Sequence, residues 1–144
     1  MKRSLLLSLI MFSIGSFLSA STPAGKVTGL IIDAAHLKLS RSFTPKIYDT
    51  DGTEIYGTIK IKDHSGDTGW EADEILSKGV VAYENSVRLA MNGDRAGKNS
   101  LVVKAVKTDE FREAVTITKE DAKMILDANK KSGFLNKLSV VFVQ

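Results

Sequence analysis

The sequence predicts a small single α+β domain over residues 22–144, with a mainly antiparallel sheet, a β-hairpin around Asp51-Gly52 and two helices. Three observations carry that prediction. Asp51-Gly52 separates two β-favouring runs, Lys46-Ile47-Tyr48 and Glu54-Ile55-Tyr56. This is a hairpin signature, because Gly takes positive φ at little steric cost and Asp tolerates the left-handed region. Apolar residues recur at helical spacing in 80–91 and 119–130. Several β-branched apolar runs, among them Leu101-Val102-Val103 and Val140-Val141-Phe142-Val143, are bounded by polar or turn-forming residues.

The elements follow in order. Val27-Thr28-Gly29-Leu30-Ile31-Ile32-Asp33 reads as the first strand, and 34–44, with Leu37 and Leu39 two apart, as an irregular or briefly extended connection. Pro45 suits the start of an edge strand leading into the hairpin. Thr58-Ile59-Lys60-Ile61-Lys62 alternates apolar with polar and extends the second hairpin strand past a bulge at Gly57. A polar loop at 63–69 precedes the helix expected over 80–91, in which Val80, Tyr83, Val87 and Ala90 or Met91 share a face and Asn92-Gly93 is the stop. Residues 101–106 read as a central strand and 114–117 as another. Thr118 and Asp121 then form a start resembling a capping box for the helix over 119–130. Ala122, Ile125, Leu126 and Asn129 lie on one broad face, Lys130 and Lys131 suit the negative end of the helix dipole, and Gly133 terminates. Phe134 and Leu135 anchor the turn into a final strand over 138–143, too apolar to lie exposed at an edge.

Residues 1–21 read as a cleaved secretory leader. Lys2 and Arg3 precede an apolar stretch from Leu5 to Leu18, and Ser19-Ala20-Ser21 supplies the small residues of a cleavage site. The stretch is shorter than the roughly 20 residues that span a bilayer, so no stable transmembrane segment is expected after processing. Leu18-Ser19-Ala20 would suit a lipobox, yet Ser21 stands where the acylated cysteine would be, so no lipid anchor is expected. The chain contains no cysteine, which excludes disulfides, thiolate metal sites and a Cys nucleophile. The net charge of +3 falls once the leader is removed, leaving 18 basic against 17 acidic residues, a net charge of +1. Basic and acidic residues are interspersed rather than gathered on a face with stacking aromatics, so no nucleic-acid partner is expected.

No catalytic, cofactor-binding or metal-binding constellation is expected. His36 and His64 are isolated in sequence, even with Asp33, Asp63 and Asp67 nearby, and no zinc-ligand spacing occurs. Asp49, Asp51 and Glu54 surround Gly52, but their spacing is that of a hairpin turn rather than a calcium loop. The acidic stretch Asp63, Asp67, Glu71, Asp73 and Glu74 reads as solvated surface. No Gly-x-Ser-x-Gly elbow and no phosphate loop are present. Tyr48, Tyr56 and Trp70 are the candidate interaction surface. The two tyrosines flank the hairpin and are expected to pair across it, whereas exposure of all three rings together would supply rigid contact area for a protein or glycan.

Most of the chain after the leader resembles a family of bacterial envelope proteins grouped with small outer-membrane lipoproteins and with the flagellar assembly protein T. The residues that carry the likeness are Thr28-Gly29-Leu30-Ile31-Ile32-Asp33-Ala34, Pro45-Lys46-Ile47-Tyr48-Asp49, Gly52-Thr53-Glu54-Ile55-Tyr56-Gly57 and Asn99-Ser100-Leu101-Val102-Val103-Lys104-Ala105. Val115-Thr116-Ile117-Thr118, Asp121-Ala122 and Phe134-Leu135 continue it. The resemblance implies an exported domain of the periplasm or outer-membrane periphery. Its expected role is non-enzymatic interaction or assembly, flagellar in one setting, with an envelope protein or a second copy as partner. A periplasmic module for small ligands or glycans is the alternative, and an uncharacterised hydrolase is a third reading.

Overall fold

The computed structural model describes residues 22–60 and 69–144. The expected leader, the strand extension past Lys60, and the 63–68 part of the polar loop with His64 lie outside the described residues. In chain order the elements are β1 (Gly29–Asp33), a 3₁₀ turn (Ala35–Leu37), β2 (Lys46–Asp49), β3 (Glu54–Tyr56), α1 (Ala72–Lys78), β4 (Ala82–Glu84), α2 (Val87–Asn92), β5 (Ser100–Lys104), β6 (Lys107–Thr108), β7 (Ala114–Ile117), α3 (Lys119–Ser132) and β8 (Val140–Val143).

The α+β class holds, but the mainly antiparallel sheet does not. One sheet, ordered β4-β8-β1-β5, is parallel throughout, and the other, ordered β3-β2-β7-β6, is mixed. In the mixed sheet β2 runs parallel to β7, while β2–β3 and β6–β7 are antiparallel. The correction has a physical reason. The strands of the parallel sheet are separated in sequence by helices or by excursions into the mixed sheet, and an apolar run reports burial without reporting the direction of its partner.

Burial on both faces explains the continuous apolar runs of the two central strands, β1 and β8. Successive side chains leave on opposite sides. Leu30, Ile32, Val140 and Phe142 face a core shared with Ile47, Val115 and Ile117 of the mixed sheet and Ala122, Ile125 and Ala128 of α3. Ile31, Val141 and Val143 face the other way, toward Ala90 of α2 and Ala96. The entry to β1 requires glycine, because a Cβ on Gly29 would lie 2.5 Å from the Cα of Ala96. The neighbouring Thr28 hydroxyl ties the same loop down, donating to the Ala96 carbonyl at 2.8 Å and accepting from the Asn99 amide at 2.9 Å.

The hairpin is formed by β2 and β3. The Asp49 carboxylate accepts from the amides of Asp51 and Thr53, both at 2.9 Å, and Gly52 has φ +81°. The irregularity falls within β3 rather than at Gly57, and β3 ends at Tyr56, so the described part of the expected strand extension, 58–60, is not strand. Ile47 pairs with Tyr56 and Tyr48 with Glu54, leaving Ile55 as the extra residue. This register also overturns the expected Tyr48–Tyr56 pair.

Among the described residues three α-helices stand where two were expected. The continuous helix over 80–91 is replaced by a buried connector at Val80 and Val81, strand β4 and the short α2. Ala82, Tyr83 and Glu84 instead pair with Val141, Phe142 and Val143. Ser86 restarts the chain as a helix by accepting from the Leu89 amide at 3.2 Å. The unexpected α1 has no fully buried residue, so no apolar stripe announces it. Helix α3 begins as expected, with the Thr118 hydroxyl accepting from the Asp121 amide at 3.1 Å, and ends at Gly133 with φ +66°. Its buried line is Ala122, Ile125 and Ala128, which turns Leu126 and Asn129 toward its flank. Among the described residues no helix is long and apolar enough to cross a membrane.

Candidate functional site

Of the three aromatic residues that the sequence nominates, the structure joins two. Tyr56 closes β3 opposite the buried Ile47, is itself only 5% exposed, and donates its hydroxyl to the Val80 carbonyl at 2.6 Å. Burial holds its phenol well above the ordinary phenolic pKa, so the ring is a neutral donor. Trp70 is half-buried and meets Tyr56 edge to face, with centroids 5.8 Å apart and planes inclined at 64°. Tyr48 alternates with the buried Ile47 and so belongs to the opposite side of β2, paired with Glu54 and Thr116.

A groove of about 610 Å³ opens beside the Tyr56–Trp70 pair, walled across from it by Leu126, Asn129, Leu135 and Asn136. Its size lies within the usual range for small-molecule sites, roughly 300–1,000 Å³. Asn129 is positioned by the turn after α3, its Oδ1 accepting from the Leu135 amide at 2.9 Å. Its Nδ2 group, and the side chain of the exposed Asn136, have no hydrogen-bond partner among the described residues. The acid at the groove's edge is already engaged. Glu54 takes an ion pair from Lys46 at 3.0 Å and a hydrogen bond from the Thr58 amide at 2.8 Å. Burial alone would raise its carboxyl pKa, but the contacts with Thr58 and Lys46 outweigh that and hold it below the ordinary value. The groove therefore offers an aromatic edge, apolar walls, amide donors and acceptors, and the ammonium of Lys60.

A second surface was not singled out by the sequence. Phe43 is 98% exposed and Phe111 is 72% exposed. They lie on the loops 38–45 and 109–113, which are stitched together by the Ser40 amide donating to the Arg112 carbonyl at 2.8 Å. Both loops are braced from behind. The Ser42 amide donates to the Tyr83 hydroxyl at 3.0 Å, the Arg41 guanidinium stands 5.7 Å over the Tyr83 ring, and Tyr83 meets the core residue Phe142 edge to face at 6.0 Å. In the other loop one Asp109 carboxylate oxygen accepts from the amides of Glu113 at 2.7 Å and Ala114 at 2.9 Å. Lys38 and Arg112 adopt positive φ, 51° and 58°, which non-glycine residues hold only where the surroundings fix them. Two aromatic rings are thus exposed on hydrogen-bonded loops. In sequence their signal is a lone aromatic inside a polar run, Arg41-Ser42-Phe43-Thr44 and Glu110-Phe111-Arg112-Glu113, which periodicity cannot distinguish from loop composition.

Among the described residues no group of three or more His, Cys, Asp or Glu side chains is placed to hold a metal ion. His36 is exposed in the 3₁₀ turn, and His64 with Asp63 and Asp67 falls outside the described residues.

Residues 29–144, from β1 to the end of the chain, match the model of a family described as Treponema pallidum Tp0624, second domain. No curated protein matches the chain.

Proposed function

The chain belongs to the family of the Treponema pallidum Tp0624 second domain, and from that premise we propose that it is an exported, non-enzymatic envelope domain that holds a protein partner through Phe43 and Phe111. The observation that carries this reading is the exposure of two aromatic side chains on loops joined by the Ser40–Arg112 hydrogen bond and braced by the Tyr83 hydroxyl and the Asp109 carboxylate. Contact residues of this kind lose little conformational freedom on binding, and aromatic anchors supply much of the energy of protein interfaces. Arg41 and Arg112 beside them add donors at the rim. Export is supported by the leader pattern at 1–21. The narrower kinship with small outer-membrane lipoproteins and flagellar assembly protein T, with its implied place at the periplasmic side of the envelope, belongs to this proposal and rests on the sequence resemblance.

The test is photo-cross-linking in the native host, with Phe43→p-benzoylphenylalanine in the full chain and mass spectrometry of the products. One envelope protein, or a second copy of the chain, should be captured reproducibly, and its yield should collapse when Phe111→Ser is added. Capture that is indifferent to Phe111→Ser, or no capture from correctly exported protein, overturns the reading.

A further inference from the structure

The groove on the far side of the hairpin from Tyr48 has a use that the loop surface does not explain. Trp70 is half-buried rather than sunk in the core, and Tyr56, itself fixed by its bond to the Val80 carbonyl, holds the indole edge to face. An aromatic ring fixed in this way costs little entropy to use as a stacking platform. The same groove is lined by two side-chain amides, Asn129 and Asn136. Each amide has both a donor and an acceptor, and Asn129 keeps its NH₂ group available because only its oxygen is spent on the Leu135 amide. Glu54 is paired with Lys46, so among the described residues that line the groove no carboxylate is left unpaired to favour a cation.

The ligand class follows from this lining. A purely apolar ligand would strip water from both amides without replacing its hydrogen bonds, which is costly. A cation would find Glu54, the one acid among the described lining residues, already occupied. A neutral sugar ring matches the aromatic and amide parts, since its C–H face can lie on the indole while its hydroxyls exchange hydrogen bonds with the amides and accept from the Lys60 ammonium at the same lining. We propose that the groove between β3 and α3 is a subsite for a neutral mono- or disaccharide, with Trp70 as the stacking platform and Asn129 and Asn136 as the hydroxyl-reading groups. The site is separate from the Phe43 and Phe111 loops and does not depend on their role.

Trp70 is the only tryptophan of the chain, so its fluorescence reports on this groove alone. The full chain should be titrated with maltose and, separately, with the disaccharide of N-acetylglucosamine. At least one should give a saturable change with a Kd on the order of 1 mM or tighter. Asn136→Ala, at an exposed position with no hydrogen bond to lose, should keep the fold and weaken binding by about fivefold or more. Phe43→Ser should leave binding unchanged. Calorimetry on Trp70→Phe, whose smaller ring has less stacking area, should show weaker binding, while circular dichroism shows that the variant is folded. The proposal is overturned if neither disaccharide gives a saturable change, or if binding persists unaltered in both Asn136→Ala and Trp70→Phe. It is equally overturned if an apolar dye occupies the groove and is not displaced by either sugar.

Discussion

The Tyr56 hydroxyl donates to the Val80 carbonyl at 2.6 Å, joining residues 24 apart in sequence. The bond fastens the last residue of the hairpin to the buried connector that delivers β4 to the parallel sheet. It thus links the two sheets through a single polar contact, and it sets the ring against which Trp70 rests.

Tyr56→Phe should therefore cost more than its one lost oxygen suggests. Val80 is 2% exposed, so its carbonyl is left without a donor in a dry setting. A buried group deprived of its partner costs about 1–3 kcal/mol. Urea unfolding should show that loss with an unchanged slope, because the surface exposed on unfolding is the same. A variant as stable as the parent would mean that the bond contributes no net stability.

Arg95 performs a similar task nearby without any carboxylate. Its guanidinium donates to the carbonyl of Leu138, to that of Lys78 at 2.7 Å and to that of Gly79 at 2.6 Å. Leu138 has φ +57°, so the turn into β8 is held in a conformation that leucine alone would not favour. Arg95→Lys keeps the charge but cannot reach three carbonyls in one plane. A loss of about 1–2 kcal/mol is expected in denaturant unfolding, and protection of the amides around Leu138 from hydrogen exchange should fall with it.

The loop that presents Phe111 should loosen in acid. Burial would by itself raise the Asp109 carboxyl pKa, but hydrogen bonds from the amides of Ala114 and Glu113 outweigh it, so the folded-state pKa lies below the ordinary value of 3.8. A depressed carboxyl pKa gives stability that is fully present above the unfolded value and is lost as pH falls through the folded one. Asp109→Asn should consequently be destabilising at neutral pH, with its deficit shrinking as the pH is lowered below 3.8. Paired unfolding curves across that window test the sign, and a deficit that does not vary with pH would count against it.

How far the sequence discloses this molecule depends on whether the deciding contacts are local. The Asp49–Thr53 turn, the Thr118 cap and the Gly133 stop are written in adjacent residues, and each is found where expected. Strand direction is not local. Val140–Val143 is apolar whether its neighbours run parallel or antiparallel, and β1 and β4 reach it only after long excursions of the chain. The same competition misleads at Val80, Tyr83 and Val87, whose spacing fits a helix face, while pairing with Val141 and Phe142 draws Ala82 and Tyr83 into a strand. At the groove, Tyr56 and Trp70 are conspicuous as aromatics, but their partners Asn129 and Asn136 come from the far end of the chain and carry no signal of their own. Tyr48 is equally conspicuous and lies on the other side of its strand.

The two exposed phenylalanines provide the sharpest separation of stability from function. Phe43 at 98% exposure and Phe111 at 72% have little apolar surface to lose to water on unfolding. The loops beneath them are held by backbone amides of Ser40 and Ser42 and by the Asp109 carboxylate, none of which uses either ring. Phe43→Ser with Phe111→Ser should accordingly leave unfolding free energy within about 0.5 kcal/mol of the parent. If the rings anchor a partner, the same double variant should abolish its capture in cross-linked cells, because truncating an aromatic anchor at an interface typically costs about 2 kcal/mol or more. A large loss of stability would instead mark the rings as structural, and undiminished capture by a stably folded double variant would place the partner's contact elsewhere on the domain.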